Sequence, residues 1–271
     1  MRINLNAAAL NAHRQLQGTD NALSKSIERL SSGFRINRAA DDPAGLAISE
    51  NLRAQVSGLA QAIANSNDAV NMIRTAEGAL AEVHALLRTM RNLALHAANE
   101  GANDETALAA DQTQVASAIA ALDRIAANTQ FGTKVLLDGS WSTTSLDFQV
   151  GANANQTISV NIDGVSASDL GISTIDVSTD AQGAITLIDS AISTISTMRA
   201  ELGATQMAIE SNINSLGVAK ENIAASESSI RDTDMAAEMV EFTRYQILLQ
   251  AGTAMLTQAN LAPQSLLALL R

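Results

Sequence analysis

Apolar residues recur along most of this chain at alternating steps of three and four, the spacing that places them on one face of a helix. In the first thirty residues they form a heptad seam of the coiled-coil kind, in which half of the members are Ala, Ser or Thr. Its members are Leu5, Ala9, Ala12, Leu16, Thr19, Leu23, Ser26 and Leu30. The pattern predicts a first helix whose seam packs weakly.

The same spacing predicts two long helices, over about 44–99 and 180–223, and two shorter ones, over about 104–128 and 234–260. At about 1.5 Å per residue the helix over 44–99 would be roughly 80 Å long, which suits a rod better than a compact domain. The last helix carries its apolar positions at Met235, Met239, Phe242, Leu249, Leu256 and Ala259. Pro263 then precedes a short apolar tail.

The middle of the chain has a different pattern, in which apolar and polar residues alternate with a period of two. The apolar positions are Leu146, Phe148 and Val150, then Ile158, Val160 and Ile162. Because the turn-rich GANANQT joins the two stretches, we expect a β-hairpin within about 130–180. The predicted fold is mainly α: long antiparallel helices in a rod-like bundle or coiled coil, with the terminal helices side by side and the hairpin region at the tip.

The segment SSGFRINRAADDPAG, residues 31–45, interrupts the first helical pattern. Asp41 and Asp42 precede Pro43 at a predicted helix start, where carboxylate oxygens can accept the free backbone N–H groups. We expect both residues to cap the second helix rather than to bind a cation or to transfer protons.

The first helix is too weakly apolar to be stable alone. Burial of its Leu and Ile side chains gives about 2 kcal/mol each, whereas ordering the backbone costs about 1–2 kcal/mol per residue. Many copies packed side by side would bury the faces that one pair of terminal helices leaves exposed. The sequence therefore predicts ends that are disordered in a monomer and ordered in an assembly.

Charge and composition exclude several classes of function. The net charge is −11 and no cluster of Lys and Arg is present to neutralise phosphates, so nucleic-acid binding is not expected. No stretch reaches the roughly 18 apolar residues of a membrane span. The start of the chain, MRINLNAAALNAHRQLQ, lacks the apolar region of a cleavable signal peptide.

No catalytic or metal-binding pattern is present in the sequence. The histidines His13, His84 and His96 lie outside any known metal-ligand spacing, and the chain has no cysteine. The glycines form neither a dinucleotide-binding pattern nor a P-loop. We expect no cofactor, no metal and no enzymatic activity.

Two long stretches resemble a known family. LSKSIERLSSGFRINRAADDPAGLAISENLRAQVSGL, residues 23–59, closely resembles the N-terminal signature of bacterial flagellins. Residues 224–271, from AASESSIRDTDMAAEMVEF to SLLALLR, are similar to the C-terminal end of the same family, and FQVGANANQTISV resembles its strand segment. The chain lacks the outer variable domains of large flagellins, so it resembles a minimal type.

The resemblance implies a structural subunit that self-assembles into the extracellular flagellar filament for swimming motility. Residues 1–40 and 230–271 would form an inner coiled-coil domain, and residues 41–229 a helical-bundle domain with the hairpin. The implied partners are other copies of the chain, a chaperone of the flagellar type III export pathway, and the hook-associated and cap proteins. Export would proceed without cleavage.

Two sets of residues would carry these interactions. The first is an assembly seam on the terminal helices, made of Leu16, Leu23, Ile27, Leu30, Met239, Phe242, Leu249 and Leu256. The second, implied by the resemblance alone, is a stripe facing a host innate immune receptor, made of Arg88, Thr89, Arg91, Leu93 and Gln114. Stimulatory flagellins usually have Arg where Thr89 stands and Glu where Gln114 stands, so weak receptor activation is implied.

Three alternatives stay open at this point. A hook–filament junction protein belongs to the same superfamily and shares both ends, and its copy number per filament would distinguish it. An enzyme displayed on the filament would need a catalytic constellation that the sequence does not offer. A ligand for host receptors, or an adhesin, is compatible with a filament subunit as a secondary role.

Overall fold

The computed structural model describes residues 6–99, 101 and 103–269, with side chains described as far as residue 261. The helices are α1 (Ala7–Ser32), α2 (Pro43–Ala97), α3 (Glu105–Asn128), α4 (Ala181–Arg231) and α5 (Met235–Leu269). Two antiparallel pairs of strands lie between α3 and α4: β1 (Gln130–Phe131) with β2 (Lys134–Val135), and β3 (Leu146–Gln149) with β4 (Thr157–Val160). The predicted mainly α fold with a small β-hairpin region is confirmed.

The chain divides into two compact units. Unit 1 consists of residues 1–56 and 221–271, and unit 2 of residues 57–220. The domain boundaries expected from the sequence, after residue 40 and before residue 230, both fall inside unit 1. That division into an inner and an outer domain stays a prediction.

The helix starts follow the capping chemistry of aspartate. Asp42 accepts the N–H of Gly45 at 2.9 Å and so caps α2, as predicted. Asp41 does not cap α2, because it is one residue too far from the helix start. It accepts instead the N–H groups of Asn37 and Arg38, at 3.3 and 3.1 Å, and holds the segment that precedes the helix.

Two helices are longer than the sequence predicts. α4 continues to Arg231 rather than ending near residue 223, because the added residues AASESSIR contain neither Gly nor Pro and include Ala, Glu and Arg, which favour helix. α5 continues to Leu269 and includes Pro263. A proline removes one backbone hydrogen bond from a helix, and here the side chain of Asn6, which caps α1, replaces that bond.

Unit 2 is built around a continuous apolar core. The apolar spacing that predicts α2, α3 and α4 is confirmed, and many of the large side chains at this spacing are fully buried in the core. These include Leu80, Leu87, Val115, Leu122, Ile188, Ile195 and Leu202. On the surface of unit 2, α2 and α4 run antiparallel and are joined by ion pairs such as Arg74–Glu210, with 3.2 Å between Nη2 and Oε1.

The predicted hairpin is confirmed in β3 and β4, where Leu146 pairs with Val160 and Phe148 with Ile158. Side chains from two helices of unit 2 hydrogen-bond to backbone carbonyls where β3 ends and the loop begins. Asn65 on α2 donates to the carbonyl of Gln149 at 3.2 Å, and Asn212 on α4 donates to the carbonyl of Val150 at 3.0 Å.

The β1–β2 hairpin was not predicted. Its strands have two residues each, too few for a visible alternation, and Gly132 in the turn between them has a left-handed φ of 62°.

Candidate functional site

In unit 1, α1 and α5 pack side by side and run antiparallel. The buried and half-buried residues of both helices are spaced at alternating steps of three and four, as in a coiled coil. On α1 they include Ala9, Ala12, Leu16, Thr19, Leu23, Ser26 and Leu30; on α5 they include Glu238, Phe242, Tyr245, Leu249, Gly252, Leu256 and Ala259. The seam predicted for α1 is confirmed from Ala9 onward, and Leu5 lies outside the described residues.

Small residues let the two helices approach each other closely. A Cβ atom at Gly252 would lie only 2.8 Å from Cδ1 of Leu16. Gly252 therefore leaves the hole into which the Leu16 side chain inserts. This fit ties one position of α1 to one position of α5.

A buried polar cluster lies towards the other end of the pair. Ser26 and Glu238 are 2% and 9% exposed, and the Ser26 hydroxyl donates to Oε1 of Glu238 at 2.5 Å. Arg29 Nη1 lies 3.4 Å from the other carboxylate oxygen. Because a slip of the helices would leave these groups buried without partners, the cluster favours one register of α1 against α5.

Next to the pair, Arg231 joins three segments of unit 1. Its guanidinium lies 4.8 Å above the ring of Phe34, and its Nη1 is 2.6 Å from Oε1 of Glu50 on α2. Its backbone carbonyl accepts the N–H of Arg35 at 2.7 Å. One residue thus connects the end of α4 to the segment after α1 and to the start of α2.

Asp41 carries the most strongly shifted carboxyl of this region. Lys25 Nζ lies 2.6 Å from its Oδ1. The hydrogen bond from Lys25, followed by the backbone N–H of Arg38, lowers the pKa of Asp41 to about 2. The carboxylate therefore stays charged well below the pH at which an exposed aspartate takes up a proton.

The structure brings together six of the eight residues predicted for the assembly seam. Leu16, Leu23, Leu30, Phe242, Leu249 and Leu256 lie half-buried between α1 and α5. Ile27 and Met239 do not lie there, and each is 50% exposed. Glu238 takes the place expected for Met239, because its carboxylate is paired with Ser26 and Arg29, and an apolar pattern cannot identify such a residue.

The outward faces of the pair are unusually apolar for exposed surface. The large hydrophobic side chains exposed there are Leu10, Ile27, Met235, Met239, Val240, Ile247, Leu248, Met255 and Leu261. On α5, a shallow surface depression is lined by Met239, Val240 and Ile247 together with Thr243 and Arg244. Contiguous exposed apolar surface of this kind marks a site of contact with another protein.

Only some residues of the stripe that was expected to face a receptor are exposed and free of contacts with the core or with α4. Its exposed members are Arg88, Thr89 and Gln114. Leu93 packs against the core of unit 2. The guanidinium of Arg91 is bound by Asp189 on α4, with 2.5 Å between Nε and Oδ1, and this hydrogen bond raises the pKa of Arg91.

A contact between α2 and α3 escaped the sequence analysis. Nδ1 of His96 lies 2.6 Å from Oδ2 of Asp111, a buried carboxylate, and no known spacing relates the two residues. In the part of the chain that the structure describes, no group of three or more His, Asp or Glu side chains is placed to hold a metal ion. None of its helices is long and apolar enough to cross a bilayer.

Comparison with known families places both ends of the chain in one family. Residues 3–142 match the profile of the bacterial flagellin N-terminal helical region, and residues 185–270 match that of the bacterial flagellin C-terminal helical region. The two matches leave out the segment between residues 142 and 185, which includes β3 and β4.

Individual proteins agree with the family profiles. The chain is 44% identical to a flagellin of Bacillus subtilis and 48% identical to one of Halalkalibacterium halodurans, and both alignments cover all of each chain. Among solved structures, a protein of Vibrio parahaemolyticus named provisionally as flagellar hook-associated has a TM-score of 0.60, with 15% identity over 71% of this chain and 100% of its own. At that identity the likeness concerns the fold alone.

Proposed function

Because this chain belongs to the bacterial flagellin family and is a structural subunit of the flagellar filament, we propose that its copies associate through the outward faces of the α1–α5 pair. The alternative of a hook–filament junction protein is not favoured, since the two relatives aligned over their full length are flagellins. The proposed role is structural and involves no catalysis.

The observation that carries the proposal is that large apolar residues are exposed on the outside of the helix pair, while many residues between the two helices are small. Val240 is 69% exposed and Met255 is 65% exposed, whereas the seam between α1 and α5 contains Ala, Thr, Ser and Gly. Fully burying such a side chain contributes about 1.5–3 kcal/mol. Contact with neighbouring copies would supply the burial that one copy lacks.

The predicted seam residues then have two different roles. Leu16, Leu23 and Leu249 lie between the two helices of one chain and would hold the pair together. Ile27 and Met239 point away from that seam and would contact another copy. Both groups are needed, because only a formed pair presents its outward faces in a fixed arrangement.

The same exposed surface supports the proposal of further partners. Before assembly, an apolar α5 would be at risk of non-specific association, and a chaperone of the flagellar export pathway would cover it. At the ends of a filament, hook-associated and cap proteins would take the place of the next copy. We propose export without cleavage and a final location outside the cell.

A charge introduced into the seam tests the proposed role of the pair. Leu23→Asp or Leu249→Asp places a carboxylate between α1 and α5, at a cost of several kcal/mol unless it takes up a proton or reaches water. Every copy carries the defect, so we expect no filaments by electron microscopy of the repolymerised protein, while unit 2 still unfolds cooperatively.

Leu187→Asp is the matched control, since it makes the same substitution at an exposed leucine of α4 in unit 2. We expect this variant to form filaments. Filaments of normal length from both seam variants would contradict the proposal.

A secondary role as a weak ligand of a host innate immune receptor is supported by Thr89. This residue is exposed, but its hydroxyl donates to the carbonyl of Ala85 at 3.1 Å, so it offers no charged donor to a partner. An arginine anchor at an interface contributes about 2 kcal/mol or more, roughly thirtyfold in affinity. We expect Thr89→Arg with Gln114→Glu to raise activation of receptor-expressing cells.

Thr75→Arg is the control for this experiment, because Thr75 is an exposed threonine of α2 with the same type of hydroxyl bond, to the carbonyl of Asn71. It should leave the dose–response curve unchanged. Full potency of the unmodified monomer would contradict the proposed weak activation.

A further inference from the structure

Pro263 lies inside α5, where a proline is not expected. Within a helix each backbone N–H donates to the carbonyl four residues earlier, and proline has no N–H to donate. The carbonyl of Ala259 therefore has no donor from its own helix at this position.

Asn6, at the start of α1, supplies the missing donor. Its Nδ2 donates to the carbonyl of Ala259 at 2.8 Å. Its Oδ1 accepts the N–H of Ala9 at 3.1 Å and so caps α1. A single carboxamide thus completes the hydrogen bonding at the start of α1 and at the proline position within α5.

We propose that Asn6 is a clamp that makes the helical continuation of α5 past Pro263 conditional on the docking of α1. When α1 is docked, the carbonyl of Ala259 is satisfied and the helix proceeds to Leu269. When α1 leaves, the Ala259 carbonyl loses its donor and the Nδ2 group of Asn6 loses its acceptor, whereas the bond from Ala9 to Oδ1 of Asn6 lies within the α1 segment. The two ends of the chain therefore become ordered together, and this coupling is separate from the contacts proposed between copies.

The side-chain chemistry of Asn6 provides a selective test. Asn6→Asp keeps an oxygen that caps α1 but replaces the donor with a carboxylate oxygen facing the carbonyl of Ala259. Pro263→Ala restores a backbone N–H to that carbonyl and so removes the need for Asn6. The prediction is that Asn6→Asp is harmful in the natural chain and nearly neutral in the Pro263→Ala chain.

Amide hydrogen exchange of residues 256–269 in assembled full-length protein measures the effect. We expect Asn6→Asp to speed exchange about tenfold, as the loss of a hydrogen bond to a poorly hydrated carbonyl implies. In the Pro263→Ala background the same substitution should change exchange by less than about twofold. Asn21→Asp, at an exposed position of α1, makes the same change of charge and should leave exchange unaltered.

An equal effect of Asn6→Asp with and without Pro263→Ala would overturn the clamp, as would no effect in the natural chain. If the Asn6→Asp chain does not assemble, the clamp requires Pro263→Ala to restore assembly. Failure of that restoration, while Pro263→Ala alone forms filaments, would equally overturn it. The assembly of the natural chain and of the Pro263→Ala chain tests the proposed function independently.

Discussion

The two units of this chain are stabilised by different kinds of contact. Unit 2 buries long aliphatic side chains from α2, α3 and α4 in one continuous core. Among the described residues of unit 1, Ile36 is the only buried hydrophobic side chain, and the other buried side chains are those of Ser26, Ser49 and Glu238. One unit thus has a fully buried apolar interior, whereas the other combines half-buried apolar side chains with hydrogen bonds and ion pairs.

From this difference we expect unit 1, rather than unit 2, to depend on partners. Burial of apolar surface is the dominant favourable contribution to folding, whereas a hydrogen bond contributes only about 0.5–1.5 kcal/mol net and an exposed ion pair about 0–1 kcal/mol. We expect unit 2 to fold within a single chain because it buries a large apolar core. Unit 1 has few fully buried apolar side chains, and we expect its exposed apolar residues to become stabilising when other copies cover them.

The largest expected effect is a contrast in hydrogen exchange within one monomer. In dilute, verified monomer, amides of residues 6–40 and 235–261 should exchange at least about a thousandfold faster than those in the core segments of α2 and α4 in unit 2. Limited proteolysis should cut the same terminal segments first. Protected ends in a monomer would show that unit 1 does not need assembly to become ordered.

A pair of leucine substitutions of identical chemistry sharpens the comparison. Leu80→Ala, at a fully buried position of α2 in unit 2, should lower the free energy of unfolding of the monomer by about 2–5 kcal/mol. Leu16→Ala, in the α1–α5 seam, should change it by less than about 0.5 kcal/mol. Denaturant titration measures both.

In filaments, by contrast, we expect Leu16→Ala to have a measurable effect. Leu16→Ala should lower the temperature at which filaments depolymerise, because the hole at Gly252 is then left empty. A large effect of Leu16→Ala on the monomer would mean that the pair is already formed before assembly.

The smallest expected effect is the pH dependence of the Lys25–Asp41 contact in unit 1. The folded pKa of Asp41 is about 2 and its ordinary value is 3.8, so the contact stabilises the folded state above about pH 4 and is lost as the pH falls towards 2. Since Lys25 is about half exposed, we expect less than about 1 kcal/mol.

Lys25→Met isolates this contribution. The difference in filament melting temperature between the natural chain and this variant should narrow as the pH is lowered from 5 to 3. Lys134→Met removes the same charge from unit 2 and should give a difference that does not depend on pH. A Lys25→Met difference that is constant over this range would show that Asp41 is not stabilised by Lys25.

The sequence predicts best those parts of the fold that depend on large apolar residues. Leu80 and Ile188 belong to regular seams, so both long helices and their buried faces were identified correctly. The pattern assigned Met239 to the terminal seam because it scores apolarity, whereas the structure places Glu238 there through bonds to Ser26 and Arg29. Such partners lie more than two hundred residues apart, and no local pattern indicates them.

The continuation of α5 past Pro263 was also not predicted, because it too depends on a partner distant in sequence. Local propensity treats proline as the end of a helix, and only the Asn6 side chain, from the opposite end of the chain, accounts for the continuation of α5. A small residue at a seam position, such as Gly252, was a signal available in the sequence, since it predicts a close approach of two helices.

The way in which the loop between β3 and β4 is held has a consequence for evolution. Asn65 and Asn212 recognise backbone carbonyls, which every amino acid provides, and not the side chains of the loop. Selection for folding therefore acts mainly on the two asparagines and on Asn155, whose left-handed φ of 65° favours Asn or Gly, while the exposed positions 153 and 154 are less constrained. The exposed side chains of this loop can therefore change between lineages without loss of the fold.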